Sequence, residues 1–188
     1  MNIVTTSKQL TSRMTRAAFA DRGLYWELAL DAGAIRQSLL AVVIVAAALG
    51  VGSAIHDVMR GAVSGAIGGF TVMGLWGMFY WFLFSVSAWT LAKLLAGLYE
   101  VEVERVTYLQ FVRRFGFVSS PGLLLILTPI PFVGEAAVLM AFMWTALAAA
   151  IAIQLTFEAP IGLGVMASFI GMVAALLISV LVGVYLLS

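Results

Sequence analysis

The chain has 188 residues, of which 63% are hydrophobic and 10% charged, with a mean hydropathy of +1.11 and a formal charge of +1. A soluble domain usually carries about 25% charged residues, so lipid rather than water must solvate most of this surface. The near-zero charge argues against a nucleic-acid footprint, and the lack of cysteine excludes disulfides, thiolate metal sites, Cys nucleophiles and S-palmitoylation.

Nine of the ten Lys and Arg residues fall in two stretches: Lys8, Arg13, Arg16, Arg22 and Arg36, then Lys93, Arg105, Arg113 and Arg114. Only Arg60 lies elsewhere. Cytoplasmic loops of membrane proteins carry the Lys/Arg excess, so both stretches are assigned to the inside. Residues 1–37 form a polar N-terminal segment. Leu10, Met14, Ala17, Phe19, Leu24, Leu28 and Ile35 recur at roughly helical spacing. They read either as an amphipathic helix on the membrane surface over about 8–35 or as a partly disordered tail. No cleavable signal peptide is expected, because the first apolar run starts only near Ser38.

Residues 38–188 read as a five-span membrane domain. The first span, Ser38–Ile55, is near the lower length limit for crossing the hydrocarbon core; His56, Asp57 and Arg60 close it. After a glycine-rich stretch, Phe70–Gly97 is apolar except for Lys93, which would snorkel at the inner face. The 98–116 loop is cytoplasmic. Its Glu100, Glu102 and Glu104 alternate with valines, and Thr107 with Gln110 forms a capping box ahead of a short helix, YLQFVRRF, that stops at Gly116. A short span over about 116–130, punctuated by Pro121, Pro129 and Pro131, turns tightly into one over about 132–153. Gln154, Glu158 and Pro160 mark the turn into the last span, about 161–187. The expected fold is therefore all-α and polytopic, with five transmembrane helices, the N-terminus cytoplasmic and the C-terminus outside. A re-entrant pair over 117–153 is the alternative for the middle of the domain.

The segment from Thr107 to Gln154 resembles the conserved part of the Yip1-domain membrane family, through Gln110, Arg113, Gly116, Pro121, Pro131, Gly134 and Trp144. With the flanking spans the likeness covers roughly 38–187, and it is closest to the short prokaryotic members. The eukaryotic N-terminal motifs are absent. The resemblance implies a multi-pass protein of the cell membrane, here a bacterial inner membrane, and supplies no activity.

Several constellations carry two readings. Gly61, Gly65 and Gly69 form overlapping GxxxG steps that can bring helix backbones together, or are simply an outer loop; Ala167 and Gly171 are a milder small-residue pair. Lys93, Arg105, Arg113 and Arg114 either meet anionic lipid head groups at the inner face or only set topology. Glu135 and Glu158 sit at span ends as a relay or as solvated caps. His56 is a pigment or metal ligand or a polar helix end. No nucleophile–base pair, metal cluster or phosphate-cradling loop is visible, so neither enzyme nor cofactor is expected. The sequence expectation is a non-catalytic protein that organises membrane or a larger complex through helix and lipid contacts, with the bilayer and other membrane subunits or itself as partners. A small transporter or channel, or an accessory subunit of a pigment or electron-transfer complex, is the alternative.

Overall fold

The computed structural model describes residues 3–97 and 106–187; Glu100, Glu102, Glu104 and Arg105 lie outside them. The described residues are all helical, without strands. In chain order they form α1 (Ile3–Ala18), α2 (Arg22–Leu30), α3 (Ala34–Met59), α4 (Ala66–Ala96), α5 (Tyr108–Phe115), a 3₁₀ segment (Gly116–Leu127), α6 (Val133–Phe157) and α7 (Ile161–Leu187). A single 3₁₀ turn, Val63–Gly65, precedes α4.

Four helices are long and apolar enough to cross a membrane: α3, α4, α6 and α7. At about 1.5 Å per residue each exceeds a hydrocarbon core of about 30 Å. The third expected span, 116–130, is not among them. Its residues wind as a 12-residue 3₁₀ helix around Pro121. Such runs are uncommon beyond three or four residues. Here proline denies one backbone donor, and Ser119 and Ser120 donate their hydroxyls to the carbonyls three residues back, both at 2.7 Å.

This segment runs alongside α3. Its start, Gly116, lies against Ser38, where an added Cβ would meet the Ser38 carbonyl oxygen at 2.7 Å. Further on, Gly122 faces Val45, and Leu125 and Thr128 face Gly52. From Ser38 to Gly52 α3 rises about 21 Å, and the 3₁₀ segment covers about the same distance at its rise of about 2.0 Å. The two therefore run side by side over about the same length.

Five segments close into a ring in the order α3, 3₁₀ segment, α6, α7, α4 and back to α3. Small residues set the seams: Gly77 against Ala46, Gly164 against the Ala150 backbone, and Gly171 against Ala88, where an added Cβ would meet the Ala88 backbone at 3.0 Å. Without apolar exclusion by water, such close backbone approach is what holds helices together in lipid. The outer surface stays apolar, with Leu75 and Phe82 on α4, Leu139 and Leu147 on α6, and Leu177 and Leu181 on α7 exposed.

The expected single helix over 8–35 is two helices. Asp21 interrupts it, its carboxylate accepting from the Gly23 N–H at 2.8 Å to cap α2, and Ala20 adopts a positive φ. Leu10, Met14 and Ala17 of α1 and Leu24, Tyr25 and Leu28 of α2 are buried against the ring. With α5 they form a cap over one end of the bundle. The sequence-read capping box holds: Thr107 and Gln110 satisfy each other's backbone N–H groups at the start of α5.

Candidate functional site

The ring encloses a cavity of about 500 Å³, walled by all five segments. Each contributes one stripe. On α3 these are Val42, Val45, Ala46, Leu49, Ser53 and His56; on α4, Met73, Trp76, Gly77, Tyr80, Trp81 and Phe84. Both follow the three- and four-residue steps of one helix face. The 3₁₀ segment offers Ser119, Gly122 and Leu125, followed by Thr128. That spacing of three matches a helix with three residues per turn, in which such residues eclipse.

The lining is apolar with scattered hydroxyls and includes no Asp, Glu, Lys or Arg. Several hydroxyls satisfy themselves locally: Thr128 donates to the Leu125 carbonyl at 2.9 Å and Ser179 to Leu176 at 2.8 Å, as hydroxyls on membrane helices can. Tyr80 and Trp81 differ. The phenol oxygen and the indole nitrogen are buried and have no hydrogen-bond partner. Exposed His56 lies near the end of α3 remote from the cap and brings the cavity to the surface there.

The cap is fastened by charge. Arg13, only 3% exposed, donates through Nε and Nη2 to Glu27 at 3.0 and 2.7 Å, through Nη2 to Asp31 at 2.8 Å, and through Nη1 to the Gln37 carbonyl oxygen at 2.8 Å. Arg16 bridges Asp21 and Glu27, both at 2.6 Å. One arginine pair thus ties α1 to α2 and α3. Hydrogen bonds from these guanidiniums hold the carboxyls of Glu27, Asp31 and Asp21 below their ordinary range. Burial pushes the Tyr25 hydroxyl up.

Arg113 and Arg114 point from α5 to the ends of other helices. Arg113 donates to the Ala29 carbonyl in the last turn of α2, and Arg114 to the Leu155 carbonyl in the last turn of α6, each at 3.1 Å. Helix C-termini leave carbonyls unpaired and carry partial negative charge, so cations suit them. Burial, and then the neighbouring Arg113, lower the Arg114 pKa. Lys93 sits over the Trp89 ring at 4.5 Å, a cation–π contact. Trp89 in turn meets Tyr108 edge-on at 5.5 Å, which joins α4 to α5. Three of the four basic residues singled out in the sequence therefore serve internal contacts at the cap, and all three remain partly exposed.

The small residues divide. Gly61 turns the chain at φ 80° with nothing near it, and Gly65 is exposed. Gly69 packs tightly on the Asp57 carboxylate, while Ala167 and Gly171 are within the bundle, Gly171 on Ala88. Glu135 and Glu158 are exposed at helix ends and outside the cavity wall. Among the described residues no group of three His, Asp or Glu could hold a metal.

No protein-family model, curated protein or solved structure matches the chain.

Proposed function

We propose that this chain is a non-catalytic, Yip1-like integral protein of the cell membrane, of bacterial inner-membrane type, that organises membrane or a larger complex through helix and lipid contacts. The observation that carries this reading is a closed ring whose outward side is apolar on its long helices, joined to a cap whose charges are engaged internally. Such a body offers partners an apolar flank and lipid a basic end. We take five segments to cross the bilayer, with the cap cytoplasmic and the C-terminus outside. The matched length of α3 and the 3₁₀ segment supports this reading, as does the clustering of Lys and Arg at the cap. Lys93, Arg113 and Arg114, with Arg105 nearby in sequence, would meet anionic head groups there through their exposed sides, each contributing less than the about 1 kcal/mol of a free basic side chain because internal contacts engage it. Purification in mild detergent should return the chain with other membrane subunits or with itself. Recovery of the free monomer alone would contradict the proposal.

The cavity favours a second reading, a small transporter. Flux of a neutral solute in reconstituted vesicles that stops with Thr145→Trp, a substitution in the cavity wall, would rank transport first.

A further inference from the structure

We propose that the central cavity binds a neutral, lipid-like molecule that carries a carbonyl-type hydrogen-bond acceptor on an apolar body. The inference goes beyond the organising role and does not depend on it. The cavity's size falls in the range of small-molecule sites, about 300–1,000 Å³. An apolar-walled cavity of this kind accepts apolar guests. Val42, Val45, Leu49, Val138 and Phe142 would surround the apolar body.

The ligand is neutral because the wall has no fixed charge to pair with. An ion moved into it would lose its hydration uncompensated. The hydroxyls of Ser119, Thr128 and Ser179 are committed to carbonyls of their own segments. Among the buried polar atoms of the wall, two have no partner, the Tyr80 hydroxyl and the Trp81 indole N–H, and each can donate. A buried donor without an acceptor is unfavourable, and a small side-chain rotation toward the cavity would present either one to a ligand oxygen. Ser53 and exposed His56 form a polar exit at the end away from the cap. Two membrane molecules share the required chemistry: an acyl ester and an isoprenoid quinone.

The test uses the whole chain in mild detergent, with native mass spectrometry counting one-to-one adducts of three probes: a monoacylglycerol, an isoprenoid quinone and an oxygen-free hydrocarbon of matching length. Saturable binding of at least one carbonyl probe, stronger than the hydrocarbon, is the expected result, and the stronger of the two identifies the source. Tyr80→Phe or Trp81→Phe should weaken that probe about fivefold, the worth of one neutral hydrogen bond, and leave the hydrocarbon unchanged. Ala141→Phe, which pushes a ring into the cavity, should weaken binding of every probe, while Leu147→Phe on the outer surface should not. Equal binding of all three probes with no effect of either donor substitution would overturn the proposal. So would failure of every probe to bind the unaltered chain.

Discussion

The cap and the ring solve the same problem, fixing helices against one another, with opposite chemistry. In the cap, α1, α2 and α5 are held by guanidiniums whose partners are named atoms: Glu27, Asp31 and Gln37 for Arg13, and helix-end carbonyls for Arg113 and Arg114. In the ring, seams rest on what is missing, the Cβ atoms at Gly116, Gly164 and Gly171. The contrast follows from the solvent. At a wet membrane face, charges can be placed without prohibitive desolvation, and their hydrogen bonds give direction. Inside hydrocarbon, isolated charge is excluded, and contact area gained by close backbone approach must do the same work. Disturbing one region should therefore leave a different signature from disturbing the other.

The largest effect is expected from Gly116→Leu, at the seam where the 3₁₀ segment meets α3. No side chain fits between that backbone and Ser38, and overpacking of a tight contact costs about 3 kcal/mol or more. Thermal unfolding in detergent should show the whole bundle destabilised, with cap and ring melting together. Next comes Arg13→Ala, which removes the guanidinium from Asp31 and Gln37 and leaves Glu27 to Arg16 alone. The carboxylates left behind are 36–40% exposed and can rehydrate, so the loss falls between that of a surface pair, about 1 kcal/mol or less, and the about 3–5 kcal/mol of a fully buried one. The loss should be local: limited proteolysis should cut faster within α1 and α2, while α6 and α7 keep their hydrogen-exchange protection. A ring that loosened equally would refute the division. The smallest effect is that of acid. Glu27, Asp31 and Asp21 titrate below their ordinary range in the folded cap, so they stabilise it above the ordinary carboxylate pKa of about 4 and lose that contribution as pH falls through the lowered values. Exchange in α1 and α2 should accelerate at that pH, with little change in the ring.

The two regions were also legible to different degrees. The cap helix α5 and the turn after α6 could be read closely, because Thr107, Gln110, Gly116, Glu158 and Pro160 act locally and leave local signals. The break between α1 and α2 could not. The apolar spacing runs on through residues 19–21, and only Asp21 with Gly23 two residues on hinted at a new helix start. The Arg13 partners lie 14, 18 and 24 residues away, a separation that no helical periodicity encodes. The cavity was hidden for a further reason. A helix apolar all round loses the contrast that distinguishes its inner face, so Thr128 and Thr145 read as scattered hydroxyls rather than as parts of one wall, which Ser53, Ser119 and Ser179 share. In the 3₁₀ segment Ser119, Gly122, Leu125 and Thr128 recur every third residue, but that step also falls on one face of an α-helix, and Leu125 stands among Leu123, Leu124, Ile126 and Leu127, so the spacing gave no separate signal.

That segment decides the topology, and the absence of native cysteine makes it accessible to experiment. Single cysteines at the exposed positions Arg60, Phe132 and Glu158, probed in intact cells with a membrane-impermeant maleimide, report which side each turn faces. If the 3₁₀ segment carries the chain across as the fifth wall of the ring, Arg60→Cys and Phe132→Cys label from outside and Glu158→Cys labels only after the cells are permeabilised. Labelling of Phe132→Cys only after permeabilisation, on the side opposite Arg60→Cys, would contradict it.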